Sequence, residues 1–217
     1  MQPLSSRQLE SSLLPFHNID VYTMFRFHPE GLHDDSHEQD IVKALPSSSS
    51  LPEGRFDTVI VMDTDEAEAT GLEGLIFLFD LLLFLKFISG TRVGHVKIIF
   101  SLPKIIQRPG FQEPAPKEWP TQPLAYIEWY TWQGSLADKT HGMYKIFPAY
   151  DSQGHQQGSI ILLSNIRQSC MLIPIFPKPR TQEAKNLESW TPGNILDKAK
   201  AFLINNFLDL YTFQTVW

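Results

Sequence analysis

The chain of 217 residues combines 42% hydrophobic and 12% aromatic residues with 16 prolines and one cysteine. This composition can bury a core in one large or two small domains, and it excludes a wholly disordered, collagen-like or coiled-coil protein. Since Cys170 is alone, there is neither an intramolecular disulfide nor a cysteine-based zinc cluster. This favours a reducing compartment, and we predict a nuclear or cytoplasmic location.

Charge is divided unevenly along the chain. Residues 1–70 carry 4 basic and 13 acidic side chains, a net charge of −9, whereas residues 71–217 carry 14 basic and 11 acidic ones, a net charge of +3. The total of −6 argues against non-specific nucleic-acid binding by the whole surface, because phosphate contacts need clustered Lys and Arg. A local basic face on the C-terminal part of the chain is still compatible with these charges.

The domain organisation follows from composition. Residues 1–15 are polar and predict a disordered tail, which leaves residues 16–217 as a single β-rich domain. Within it, the serine- and proline-rich residues 46–53 predict a loop. The proline-rich residues 101–123 predict an extended connection and no helix.

Runs of β-branched and aromatic residues predict seven strands. These strands cover residues 19–27, 55–62, 92–100, 124–132, 142–147, 158–163 and 170–176. Residues 151–158 predict a hairpin loop between the fifth and sixth of them. In the third strand, alternation places His95 and Lys97 on the face opposite Val96, Ile98 and Phe100.

One helix is expected late in the chain. Thr191 and Pro192 are typical of a helix start, and Ile195, Ala199 and Phe202 then recur at helical spacing. Many short strands without βαβ alternation, followed by one helix, predict a mainly β fold, a partly open barrel or sandwich.

Five ordered motifs carry a resemblance to a known family. They are residues 54–59 (GRFDTV), 70–74 (TGLEG), 92–100 (RVGHVKIIF), 124–129 (LAYIEW) and 166–174 (IRQSCMLIP). Together they resemble the C-terminal accessory region that follows the catalytic core in fungal transposon-encoded proteins of the plavaka type. The resemblance implies an SH3-like or bromo-adjacent-homology-like barrel without the catalytic domain and with no cofactor.

An apolar insertion at residues 71–90 departs from that family. In the resembled proteins the Gly-Leu-Glu-Gly turn runs almost directly into the Arg-Val-Gly strand, whereas residues 75–90 intervene here. We interpret residues 75–90 as a retained intron, and the alternatives are a packed apolar helix near residues 72–88 or a membrane anchor there. Asp80, Lys86 and the short apolar run argue against a membrane span.

Three further patterns bear on catalysis or metal binding. Asp63 and Asp65 after an apolar strand match the opening of Mg²⁺-dependent haloacid-dehalogenase-like phosphotransferases, but an acidic turn is the favoured interpretation. His33 and His37 have a zinc-like spacing inside a predicted polar loop. Cys170 in an apolar strand predicts a buried, inert thiol. No catalytic residue, metal site or small-molecule substrate is predicted.

Aromatic and basic residues on neighbouring strands predict a binding surface. Its members are Tyr126, Tyr130, Tyr144, Lys145 and Arg167. Such a surface could stack bases or cage a methylated lysine, and the alternative is structural packing. Because Ile127 and Trp129 face away from Tyr126 and Tyr130, at least half of this aromatic segment must be core. The predicted function is a non-catalytic interaction module that contacts protein, chromatin or nucleic acid.

Overall fold

The computed structural model describes residues 18–28, 39–62, 91–108, 111–132, 137–181 and 183–205. This part of the chain is mainly β, as predicted. Its strands are β1 (Asp20–Tyr22), β2 (Met24–Phe27), β3 (Asp40–Leu45), β4 (Arg55–Phe56), β5 (Thr58–Met62), β6 (Thr91–Ser101), β7 (Ile105–Arg108), β8 (Phe111–Pro114), β9 (Leu124–Trp132), β10 (Lys145–Pro148), β11 (Gly158–Leu162), β12 (Ile166–Cys170), β13 (Leu172–Pro174) and β14 (Phe202–Ile204). The helical segments are the one-turn helix α1 (Ile195–Lys198) and two 3₁₀ segments, Leu163–Asn165 and Glu183–Ser189.

Nine strands form an antiparallel sheet that closes almost into a barrel. The order is β12-β5-β6-β9-β10-β14-β13, with β1 added to β6 and β11 added to β9. The first and last strands of this order are joined in the chain by Met171 alone, so the two ends of the sheet meet. Near this junction, the Thr58 hydroxyl donates a 2.7 Å hydrogen bond to the carbonyl of Cys170. The prediction of a partly open barrel is therefore confirmed.

The central strands β5, β6 and β9 are buried on both faces, which explains the apolar run Thr58–Met62. One face contributes to a first core cluster: Val42, Ala44, Val59, Val61, Val96, Ile99, Ala125, Ile127, Trp129, Ala149 and Ile166. The other face contributes to a second core cluster: Ile60, Val93, Tyr130, Tyr144, Ile146, Cys170, Leu172, Ala199, Phe202 and Ile204. The first cluster includes β3 of the small sheet β2-β3-β4, and the second includes β13 and β14.

Strand β6 differs from the alternating strand that the sequence predicts. Its register against β9 shifts between Val96 and Ile98, which is a β-bulge. The bulge reverses the alternation, so Ile99 joins the first core cluster instead of Ile98. His95, predicted on the face opposite Val96, is only 2% exposed because the Phe56 ring and Asp197 of α1 lie beside it.

Strands β10 and β11 do not form the predicted hairpin with each other. Both pair antiparallel with β9, β10 along residues 130–132 and β11 along residues 124–128. The chain between them leaves the sheet as a short loop that is closed by a bridge between Tyr150 and Gln156. The Asp151 carboxylate holds this loop by accepting hydrogen bonds from the backbone N–H groups of Gln153 and His155.

Other boundaries also differ from the predictions. The predicted strand 19–27 divides at Thr23, because β1 pairs with β6 whereas β2 pairs with β3. The connection 101–123 contains no helix among its described residues, as expected, but it includes the β7-β8 hairpin. Phe202 is wrong as a helix position, since α1 ends after one turn and Phe202 pairs with Ile146 and Pro174 in the sheet.

Residues 46–53 form the predicted loop. The predicted tail at residues 1–15 and the apolar helix near 72–88 lie outside the described residues. Within the described ranges, no helix is long and apolar enough to cross a membrane.

Candidate functional site

Two of the five predicted binding residues lie in the core. Tyr130 is 2% exposed and Tyr144 is 3% exposed, and both belong to the second core cluster. The Tyr130 ring packs edge-to-face on Phe202 with centroids 5.5 Å apart, and Tyr144 packs in the same way on Trp132 at 5.7 Å. The expectation that both rings lie on a surface is wrong, because the C-terminal strand β14 completes the core on that face of the sheet.

The other three predicted residues are half-buried and separate from one another. Tyr126 on β9 lies opposite Ile98 and Ile160 of the neighbouring strands. Lys145 places its ammonium 5.0 Å from the centre of the Phe147 ring. Arg167 lies on β12, three strands away from β9 in the sheet order. The five residues therefore do not form the single surface that the sequence predicts.

A groove of about 220 Å³ opens beside Tyr130. It is lined by Arg92, Tyr130, Thr131, Trp132, Ala149, Tyr150 and Gln157. Three of these are aromatic, and Tyr150 is 57% exposed at the start of the loop that leaves the sheet. Sequence reasoning found Tyr130 but missed Arg92 and Gln157, because only the strand register brings them beside β9.

The Tyr130 hydroxyl lies behind this groove, in the second core cluster. It is buried, and no described residue forms a hydrogen bond with it. Burial raises the pKa of Tyr130 far above its ordinary value, and nearby Cys170 and Asp197 act in the same direction, so the phenol stays protonated. The Arg92 side chain, stacked on Trp129 of the first core cluster, lies on the opposite face of the sheet.

The walls of the groove are held by specific contacts. The Arg92 guanidinium stacks over the Trp129 ring at 4.2 Å from its centre, a cation–π contact. The Trp129 indole N–H donates a 2.9 Å hydrogen bond to the Ser159 hydroxyl on β11. Gln157 donates from its amide nitrogen to the Tyr150 carbonyl at 3.2 Å. These contacts fix the positions of Arg92 and Tyr150 around the opening.

A second constellation lies on the same face of the central strands as Tyr130. His95 on β6 and Glu128 on β9 are directly opposite in the register, and α1 brings Asp197 beside them. The Lys97 ammonium lies 3.0 Å from an Asp197 carboxylate oxygen and 3.5 Å from one of Glu128. Nδ1 of His95 lies 3.9 Å from the same Asp197 oxygen.

His95 is neutral in this environment. Burial, followed by the adjacent Lys97 charge, lowers its pKa to about 4, and the opposing influences of Asp197 and the Phe56 backbone are weaker. The Phe56 backbone lies close enough to favour the protonated ring, but neither ring nitrogen has a hydrogen-bond partner of good geometry among the described residues. A neutral imidazole with an available lone pair is the form that binds metal ions.

Most of the remaining sequence candidates fall on residues that the structure does not describe. Asp63, Asp65, His33, His37 and the insertion at 75–90 lie outside the described residues, so the phosphotransferase, zinc and membrane alternatives are untested there. Cys170 is buried, as predicted.

No protein-family model, curated protein or solved structure matches the chain. The resemblance to plavaka-type accessory regions and the SH3-like or bromo-adjacent-homology-like form of the barrel therefore stay predictions.

Proposed function

We propose that the chain is a non-catalytic, transposon-derived interaction module that binds a protein partner in the groove beside Tyr130. The observation that carries this proposal is the groove itself, which brings together the Arg92 guanidinium, stacked on Trp129, and the exposed Tyr150. A cation held in place by a ring contact is preorganised to bind an anionic group of a ligand.

The neighbouring side chains define the chemistry of the ligand. Arg92 gives the groove a positive charge, so the preferred acceptor is an anionic oxygen. Trp132 and Tyr150 offer aromatic surface beside it. We therefore expect the groove to take an acidic side chain, Asp or Glu, from an extended segment of a partner protein.

Charge favours a protein partner over nucleic acid. Nucleic-acid binding draws its affinity from several Lys and Arg side chains along a phosphate backbone, whereas Arg92 is the one cation among the described groove residues. The seven lining residues include no carboxylate, thiol, imidazole or amine, which supports recognition over catalysis.

The test uses a peptide array in which Asp and Glu positions are compared with their Asn and Gln counterparts. The tightest acidic peptide is then titrated by fluorescence anisotropy against the full chain and two variants. We expect Arg92→Gln to weaken binding about tenfold, the loss of roughly one hydrogen bond to a charged group. Arg55→Gln, which removes an exposed guanidinium outside the groove, is the matched control and should change Kd less than about twofold.

Equal peptide affinity of the Arg92→Gln variant and the wild type would contradict the proposal. So would an array with no preference for carboxylates over amides. Duplex DNA and single-stranded RNA are titrated in parallel across salt concentrations. Salt-sensitive binding to either that is unaffected by Arg92→Gln would transfer the function to a nucleic-acid surface elsewhere on the chain.

A further inference from the structure

Three potential metal ligands from three different elements converge in the fold. They are His95 on β6, Glu128 on β9 and Asp197 on α1, and their ligand atoms all lie within 4.8 Å of one another. Cross-strand pairing places His95 opposite Glu128 on one face of the sheet. The sequence could not reveal this cluster. Asp197 lies 100 residues after Lys97, which is close to His95 on β6, and only the fold brings Asp197 beside them.

His95 supplies an independent indication of a ligand. Its side chain is 2% exposed, and neither ring nitrogen has a hydrogen-bond partner among the described residues. Nδ1 nevertheless lies near the Asp197 carboxylate, 3.9 Å from its oxygen. A buried imidazole that lacks a hydrogen bond has lost its contacts with water and gained nothing in return. Coordination of a cation by one ring nitrogen would compensate for that loss.

We propose that His95, Glu128 and Asp197 form a binding site for a divalent transition-metal cation of the zinc type. One imidazole nitrogen and two carboxylate oxygens suit Zn²⁺ and its neighbours in the first transition series, whereas Mg²⁺ prefers oxygen ligands alone. Three protein ligands leave a coordination position for water or for a group of a partner. The cation would tie α1 to the central strands of the sheet.

Lys97 is the cation that occupies this position in the structure. Its ammonium contacts both carboxylates, and its side chain is 25% exposed. The flexible stem of Lys97 allows the ammonium to move out when a metal ion enters. Tetrahedral coordination at zinc distances requires ligand atoms roughly 3.3 Å apart, so the cluster must contract. Asp197 can supply this movement because it is half-exposed on a one-turn helix.

The experiment titrates Zn²⁺ by calorimetry into the untagged full chain after treatment with a chelator. We expect Lys97→Met, which removes the competing ammonium, to bind Zn²⁺ at least about tenfold tighter than the wild type, and Asp197→Asn to bind about tenfold weaker. Asp151→Asn is the matched control, because Asp151 faces His155 at 3.5 Å in an exposed loop. Its affinity should equal that of the wild type.

Two results would overturn the proposal: equal affinities of Lys97→Met and the wild type, or undiminished binding by Asp197→Asn. A measurement on the wild type covers the case in which a variant fails to fold. In ¹⁵N NMR spectra, saturating Zn²⁺ should shift the imidazole nitrogens of His95, and Mg²⁺ at the same concentration should not. An unchanged His95 signal at saturating Zn²⁺ would also refute the site.

Discussion

The two faces of the central strands differ in how their buried polar atoms are bonded. On the first face, the Trp129 indole N–H is bonded to the Ser159 hydroxyl. On the second face lie all three described side-chain atoms that are buried without a hydrogen-bond partner, the two ring nitrogens of His95 and the Tyr130 hydroxyl. The second face therefore gives up stability at His95 and Tyr130, and His95 belongs to the metal site that we propose.

The largest expected effect is a pH dependence of stability that comes from the second face. Folded His95 has a pKa of about 4 against an ordinary value of 6.5. Between these values the unfolded chain binds the proton and the folded chain does not, so stability falls as pH falls from 6.5 to 4. The full difference corresponds to roughly 3 kcal/mol. Urea unfolding in the presence of a chelator, compared at pH 7 and at pH 4.5, should measure most of this difference in the free energy of unfolding.

Two histidine variants make this pH experiment specific. His95→Gln should lose most of the dependence between pH 6.5 and 4.5. His155→Gln, which removes an exposed histidine in the loop after Tyr150, should keep all of it. A wild type and a His95→Gln variant with the same change in unfolding free energy would show that His95 is not buried neutral.

A smaller effect is expected on the first face. Ser159→Ala removes the acceptor of the Trp129 indole and leaves that N–H unsatisfied. We expect a loss of about 1 kcal/mol in the free energy of unfolding, measured by urea titration at pH 7. No loss would mean that the two faces do not differ in their dependence on hydrogen bonds.

The smallest effect on stability is expected at Tyr130. Tyr130→Phe removes a hydroxyl that has no partner among the described residues, so the free energy of unfolding should change by less than about 0.5 kcal/mol or increase. A stability loss equal to that of Ser159→Ala would indicate that the hydroxyl is satisfied within the fold.

Local sequence patterns predicted where the strands lie better than they predicted which side chains are buried. The alternation over Leu124–Trp132 predicted β9 with its observed bounds and the buried positions of Ile127 and Trp129. It could not predict that Tyr130 is buried too, because the cover of the second face comes from β14, more than 70 residues later. Alternation also could not predict the bulge after Val96, which depends on pairing with β9.

The candidate sites were harder to predict than the fold. The density of aromatic residues pointed to Tyr130, yet the residues that make it part of a groove, Arg92 and Gln157, come from strand register and from a loop. His95 reads as an ordinary polar position of an alternating strand. Its unusual state is caused by burial and by Lys97 and Asp197, which only the folded chain brings together.

The most direct test of this contrast between the faces is a pH titration of the His95 ring by NMR in metal-free buffer. Burial without a hydrogen-bond partner predicts a single titration near pH 4, with the neutral imidazole present throughout the range from pH 5 to 7. A His95 pKa near 6.5 would contradict the account, because the ring would then be hydrated or paired.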